Sequence, residues 1–163
     1  MKDRIFIIDG SSYLYRAYHA MPPLTTSSGQ PTGAIKGVTN MLMTLKKDSE
    51  GSPIVVIFDA KGKTFRNDIY KEYKANRPPM PDDLREQLVP LKDICRAIGF
   101  PLIEIEGVEA DDVIATVVKT AKQKKYKTVI SSLDKDLMQL VEDPVSTIMN
   151  TTVSYTHLRA HET

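Results

Sequence analysis

The sequence predicts an α/β fold with a central, mostly parallel sheet, and three observations carry that prediction. Short apolar runs recur along the chain: Ile5-Phe6-Ile7-Ile8, Ile54-Val55-Val56-Ile57-Phe58, the run 102–105, and Thr128-Val129-Ile130. Continuous runs of this length suit strands buried on both faces. Stretches with helical apolar spacing lie between them, as crossover connections between parallel strands require. Finally, each run ends in or leads to carboxylates, and in open parallel sheets the crevice at the carboxyl ends of the strands is where ligands bind.

In chain order, Asp9 ends the first run, and Ser11-Ser12 offers capping hydroxyls for a helix carrying Tyr13, Leu14, Arg16 and Tyr18. Met21-Pro22-Pro23 stops that helix, and the Ser/Thr/Gly/Pro-rich stretch 25–33 reads as a loop. Ile35, Val38, Met41, Leu42 and Leu45 then follow helical spacing up to the second strand, which ends at Asp59. In 61–80, Phe65, Ile69 and Tyr73 recur every four residues, so a helix with one apolar edge is predicted. Pro78-Pro79-Met80-Pro81 ends it, and Asp82 stands where it can cap a helix running to about Ile98, with a kink at Pro90 and Gly99 as its stop. The third run leads through Gly107 to Glu109, Asp111 and Asp112, which open a helix to about Gln123. The fourth leads to Asp134 and Asp136, a short helix 135–141 and a strand 146–149.

The chain has 163 residues, 41% hydrophobic and 26% charged, which suits one soluble domain. Its net charge of +1 leaves any nucleic-acid partner to local patches. Asp9 interrupts the only early apolar run, so no secretory signal is expected, and no stretch approaches the length of a membrane span. Cys95 is the single cysteine; it excludes an internal disulfide and sits on the apolar pattern Leu91, Ile94, Ile98 as a core residue. A monomeric cytoplasmic enzyme is the expectation.

Asp9, Asp59, Glu109, Asp111, Asp112, Asp134 and Asp136 all fall at the predicted carboxyl rim of the sheet. So many acids repel unless cations neutralise them, and hard oxygen donors suit Mg²⁺ or Mn²⁺ rather than zinc. Any one of them could merely cap a helix; capping does not require four clusters to converge. Two divalent ions there would serve phosphodiester chemistry. The neighbouring segment 61–77 carries Lys61, Lys63, Arg66, Lys71, Lys74 and Arg77 against Asp68 and Glu72. It reads either as a solvated helix face or as a grip on substrate phosphates, with Phe65, Tyr70 or Tyr73 stacking on a base. Beside Asp59, the grip is the preferred reading. His19 is read as packed or hydrogen-bonded rather than catalytic, and the lysines ending the helix at 119–127 as solvated.

The stretches Ile8-Asp9-Gly10-Ser11-Ser12-Tyr13-Leu14-Tyr15-Arg16, Phe58-Asp59-Ala60-Lys61-Gly62-Lys63-Thr64-Phe65-Arg66, Tyr73-Lys74-Ala75-Asn76-Arg77-Pro78-Pro79-Met80-Pro81, Gly107-Val108-Glu109-Ala110-Asp111-Asp112 and Asp134-Lys135-Asp136 occur in that order. Together they resemble the 5′-nuclease (5′–3′ exonuclease) domain of bacterial DNA polymerase I, within the flap-endonuclease family. The resemblance implies a PIN-like three-layer α/β fold with a basic helical arch, and Mg²⁺- or Mn²⁺-dependent hydrolysis of DNA at 5′ flaps and primers in replication and repair. It implies Asp9, Asp59, Glu109, Asp111 and Asp112 at a first metal and Asp134 and Asp136 at part of a second. Catalysis falls to these first five acids with Lys74, and DNA contacts to Arg16, Lys61, Lys63, Arg66, Tyr73, Lys74 and Arg77.

Two departures stand out. Leu133 replaces a small residue before Asp134, and no Gly-Asp-Ser-Ser-Asp motif follows to complete the second cluster, nor any duplex-gripping element or polymerase domain. Residues 1–152 are read as the nuclease core and 153–163 as a non-native tail resembling a translated sequencing adapter. Weak or absent cleavage by this chain is therefore expected. Competing readings are a non-catalytic DNA-binding fragment, a PIN-type ribonuclease and a Mg²⁺-dependent phosphatase.

Overall fold

Alternate residues of the first apolar run serve two different cores, which is what a strand buried on both faces requires. Phe6 and Ile8 join one cluster, Ile7 the other, and all three are fully buried. In the computed structural model, which describes residues 3–142 and 144–149, five parallel strands form one sheet. They are β1 (Arg4–Asp9), β2 (Ile54–Ile57), β3 (Leu102–Ile103), β4 (Lys127–Ser131) and β5 (Ser146–Met149), in the order β3-β2-β1-β4-β5. The predicted parallel sheet is thus present, with β3 reduced to two residues at an edge, where Ile105 is left exposed.

Helices α1 (Gly10–Ala20), α2 (Gly33–Asp48) and α4 (Asp82–Ile98) cover one face, packing Leu14, Val38, Leu42, Leu84, Leu91 and Cys95 over Phe6, Ile8, Val56 and Phe58. The other face is covered by α5 (Ala110–Gln123), through Val113, Ile114 and Val118 against Ile7, Val55, Ile57 and Ile130. The result is three layers. Among the described residues, no helix is long and apolar enough to cross a membrane.

Helix ends differ from the sequence reading in instructive ways. Asp9, not Ser11 or Ser12, caps α1, its carboxylate accepting the Ser12 N–H at 3.0 Å. The two serine hydroxyls instead accept backbone N–H groups from Asp59 (3.2 Å) and Leu133 (3.0 Å), so they tie neighbouring loops to α1. Pro81 precedes α4, and Asp82 pairs with Arg85 within the first turn rather than capping. Pro90 lies inside α4, which continues through it to Gly99, whose φ of +93° closes the helix in the left-handed conformation. Leu133 is accommodated with its side chain exposed. The segment 135–140 is a 3₁₀ helix, Lys135–Leu140.

The largest difference concerns the basic segment. The predicted helix through Tyr73 stops after five residues, as α3 (Phe65–Ile69), and Tyr70 takes an extended conformation before a run of turns. Its apolar edge has nothing to pack on: Ile69 is 79% exposed and Phe65 44%. A short helix without a buried stripe gains little from propagation. A reciprocal Thr64–Asn67 capping box fixes its start. The basic segment of this chain is therefore one helical turn followed by a folded loop.

Candidate active site

The chain leaves β3, forms α5 and returns on the far side of β1 as β4, so the strand order reverses across β1. A crevice opens at such a switch point, and Asp9 ends β1 inside it. Its side chain is 4% exposed, and Oδ2 accepts the Ser132 hydroxyl at 2.6 Å from the end of β4. The Ser132 oxygen in turn accepts the Asp134 N–H at 3.0 Å. Asp59, beyond β2, accepts the Ala110 N–H at 2.8 Å through Oδ1, fastening the start of α5 to the sheet. Glu109 precedes α5 and is buried, with Lys74 Nζ at 3.0 Å, Tyr73 Oη donating at 3.3 Å and Arg66 Nη1 at 3.7 Å. The Asp134 carboxylate accepts the Asp136 N–H at 2.9 Å, and Asp136 itself is exposed. An open cavity of about 530 Å³ runs over this rim, lined among others by Arg66, Tyr73, Glu109, Asp111, Asp112 and Asp136.

The electrostatics identify which acids converge. Burial, followed by the charges of Asp134, Asp9, Asp59 and Glu109, pushes the Asp111 carboxyl up to about 6. Burial also raises Asp9, against hydrogen bonds from Ser132 and Ser12, with Asp59 and Asp134 adding repulsion. Asp112 behaves oppositely: the hydrogen-bonded Arg66 guanidinium holds it below the usual carboxylate range. Asp9, Asp59, Asp111 and Asp134 thus repel one another across the rim, together with Glu109, whose charge Lys74 partly offsets.

Among the described residues, no three of these acids close into a ligating cluster, and Lys74 and Arg66 take Glu109 and Asp112 as partners. The donor set is nevertheless all carboxylate, with Asp9 and Glu109 buried, Asp111 and Asp134 half-buried and Asp59 and Asp136 exposed, which fits a hard divalent cation in kind. Of the residues proposed to contact substrate, Arg66, Tyr73 and Lys74 reach the rim. Lys61, Lys63 and Arg77 lie exposed on the flanking loops, and Arg16 is half-buried on α1.

Sequence reasoning missed the serines that hold the rim together. Ser132 bridges Asp9 and Asp134; Ser131, fully buried, shares a hydrogen bond of 2.7 Å with Tyr13, whose hydroxyl burial pushes up to about 12. The available signal was a Ser-Ser pair just after β1 and another at the end of β4, two strands that prove to be neighbours. Replacing Ser132 by alanine deprives buried Asp9 of a hydrogen bond. A loss of about 1–2 kcal/mol in urea unfolding is expected, with Mn²⁺ binding weakened about tenfold. Unchanged Mn²⁺ affinity in S132A would show that Ser132 does not orient Asp9.

Comparison with known proteins places this arrangement. The chain is 57% identical over 147 residues to DNA polymerase I of Pseudomonas aeruginosa, spanning 90% of this chain and 16% of the relative. It is 48% identical over 144 residues to a 5′-3′ exonuclease of Aquifex aeolicus, spanning 88% of this chain and 50% of the relative. The chain therefore covers half or less of these relatives' lengths. In three dimensions it is similar to the flap endonuclease of bacteriophage T5 in a pseudo-enzyme-product complex with DNA and metal ions. That similarity has a TM-score of 0.72 and 25% identity, over 90% of this chain and 54% of the other. The fold is the PIN-like α/β arrangement of such flap nucleases. Residues 4–162 match the family described as 5′-3′ exonuclease, N-terminal resolvase-like domain, and the chain belongs to that family.

Proposed function

We propose that this chain carries the metal-dependent nuclease centre of a structure-specific 5′ nuclease, hydrolysing phosphodiesters of DNA at 5′ ends and flaps with Mg²⁺ or Mn²⁺. The observation that carries the reading is the convergence of Asp9, Asp59, Glu109, Asp111 and Asp134 at the sheet's switch point, with a basic segment ion-paired directly onto them. Membership of the exonuclease family and likeness to a nuclease described with DNA and metal ions support it.

On this reading Asp9, Asp59, Glu109, Asp111 and Asp112 hold one ion, and Asp134 and Asp136 begin a second site. An ion bound there supplies Lewis-acid polarisation of the phosphate and a more acidic attacking water. Lys74, now paired with Glu109, is within a side-chain swing of any phosphate drawn to the rim, where it neutralises developing charge. The Tyr73 ring presents a face for an unpaired base, and Lys61, Lys63 and Arg77 extend a positive track along the outer loop.

Gel-resolved cleavage of a labelled 5′-flap duplex with Mg²⁺ or Mn²⁺, beside single-stranded RNA of equal length, tests the proposal. Metal-dependent product from the flap and none from RNA is the expected result. Product from RNA alone would make it a ribonuclease. Metal-dependent flap binding without any product would make it a DNA-binding fragment.

A further inference from the structure

Strand side chains alternate between faces, so Ser131 of β4 points with Val129 into the apolar layer that holds Tyr13 and Leu14 of α1. A hydroxyl in such a layer is costly unless it is hydrogen-bonded. Ser131 is fully buried and Tyr13 nearly so, and their oxygens share a hydrogen bond of 2.7 Å across 118 positions of the chain. The next residues continue the pattern. Ser132 donates to Asp9 Oδ2 at 2.6 Å, and the Leu133 N–H donates to Ser12 Oγ at 3.0 Å. Three consecutive residues at the end of β4 are thus fastened to the β1–α1 junction, and the Asp134 N–H donates to the same Ser132 oxygen. We propose that the first turn of α1 is the template that sets where the acids beyond β4 stand relative to Asp9, and that Tyr13 is a positioning residue of the metal centre, acting through Ser131. This rests on the metal-centre reading above.

Backbone pairing makes these side-chain ties necessary. The ladder between β1 and β4 ends at Ile8 and Ser131, one residue short of Asp9 and three short of Asp134. Beyond that point the hydroxyls of Tyr13, Ser12 and Ser132 take over from the ladder. The same turn also serves the opposite neighbour. Ser11 Oγ accepts the Asp59 N–H at 3.2 Å, and a Cβ on Gly10 would stand 2.8 Å from the Phe58 ring, so the start of α1 presses on the residue before Asp59. Residues 9–13 therefore locate the acid-bearing segments that follow β1, β2 and β4. Their ties differ in environment. Ser11 and Ser12 are half-buried, whereas the Tyr13–Ser131 bond is enclosed, where a hydrogen bond is stronger and loss of one partner strands the other. Burial also holds the Tyr13 proton, pushing the hydroxyl up to about 12, so the tie is not titrated away near neutrality. Tyr13 hydrogen-bonds to no acid among the described residues, yet it fixes the segment from which Ser132 and Asp134 extend.

The experiment compares the full chain with Tyr13→Phe, Ser131→Ala and the double variant. Three readouts are taken: the urea midpoint, Mn²⁺ affinity by paramagnetic titration, and amide exchange of Leu133 and Asp134 by NMR. Each single variant strands one buried oxygen and should lower the urea midpoint by about 1 M. The double variant strands neither and should recover most of that loss. Titrations are run without urea, where every variant is folded, so a lower midpoint by itself leaves Mn²⁺ affinity unchanged. Tyr13→Phe and the double variant should nevertheless each bind Mn²⁺ about tenfold more weakly than the parent. In the double variant the two amides should exchange about tenfold faster although its midpoint is near the parent's. Parent-like Mn²⁺ affinity in the double variant overturns the proposal and leaves the pair a purely structural one, as does exchange of both amides at the parent's rate. If the parent itself binds no Mn²⁺, the metal-centre reading fails, and the exchange rates alone decide whether Tyr13 positions the segment.

Discussion

Asp9→Asn is expected to weaken Mn²⁺ binding at least about a hundredfold, the upper end of what loss of an outer partner costs a metal site, while leaving the fold as stable as before or more so. The stability half of this expectation follows from burial. Asp9 is nearly inaccessible and its carboxyl is raised by that burial, so its charge is held at a cost in the metal-free protein. Asparagine removes the charge and keeps an oxygen for the Ser12 N–H that caps α1. Alanine does neither: Asp9→Ala forfeits the cap, about 1 kcal/mol, and strands the buried Ser132 hydroxyl, a further 1–3 kcal/mol or so. Comparing the two by Mn²⁺ titration and urea unfolding separates the structural duty of Asp9 from its duty toward a cation. Parent-like Mn²⁺ affinity in Asp9→Asn would remove Asp9 from the metal centre.

The second large effect is a pH dependence of stability in chelator-treated protein. The Asp111 carboxyl stands at about 6, against an ordinary value of 3.8. A group that holds its proton more tightly folded than unfolded contributes its full stability below the unfolded value and loses it as pH rises through the folded one. Stability should therefore fall between pH 5 and pH 8, by up to about 1.4 kcal/mol from Asp111, the rest of its contribution being lost below pH 5. Asp9 works in the same direction. Asp112, lowered by Arg66, has the opposite sign, but its contribution is lost only as pH drops below the ordinary carboxylate range. Urea midpoints at the two pH values give the measurement. Asp111→Asn should flatten the slope and be the more stable protein at pH 8, and saturating Mn²⁺ should raise the parent's midpoint most at pH 8. A parent midpoint that climbs from pH 5 to pH 8 under chelation would show that the acids of the rim do not repel one another as placed here.

Much of the fold was legible because burial on both faces leaves a local mark. Ile5 to Ile8, Ile54 to Ile57 and Thr128 to Ile130 lie in strands because nothing charged interrupts them, and the acids that follow lie at the carboxyl rim by chain direction alone. Helix α5 was legible from Val113, Ile114, Val118 and Ala121, all buried. The basic segment was misjudged in shape: Phe65, Ile69 and Tyr73 have helical spacing, but spacing yields a helix only where a surface receives the stripe, and Ile69 faces solvent. Ser11 and Ser12 were legible as hydrogen-bonding hydroxyls and misassigned to a cap, because the loops they tie come from elsewhere in the chain.

By itself, then, the sequence determined the residue types and their local periods: apolar runs that must be buried, an acid at each run's end, a cationic segment after the second. The tertiary structure alone decided who meets whom. Strand order set β4 beside β1 and so brought Ser132 to Asp9 across 123 positions, while the return of α5 to the rim brought Asp112 to Arg66 across 46. Periodicity is a property of a few neighbouring residues and carries no information on strand order. Partners so far apart in the chain are chosen by how whole elements pack.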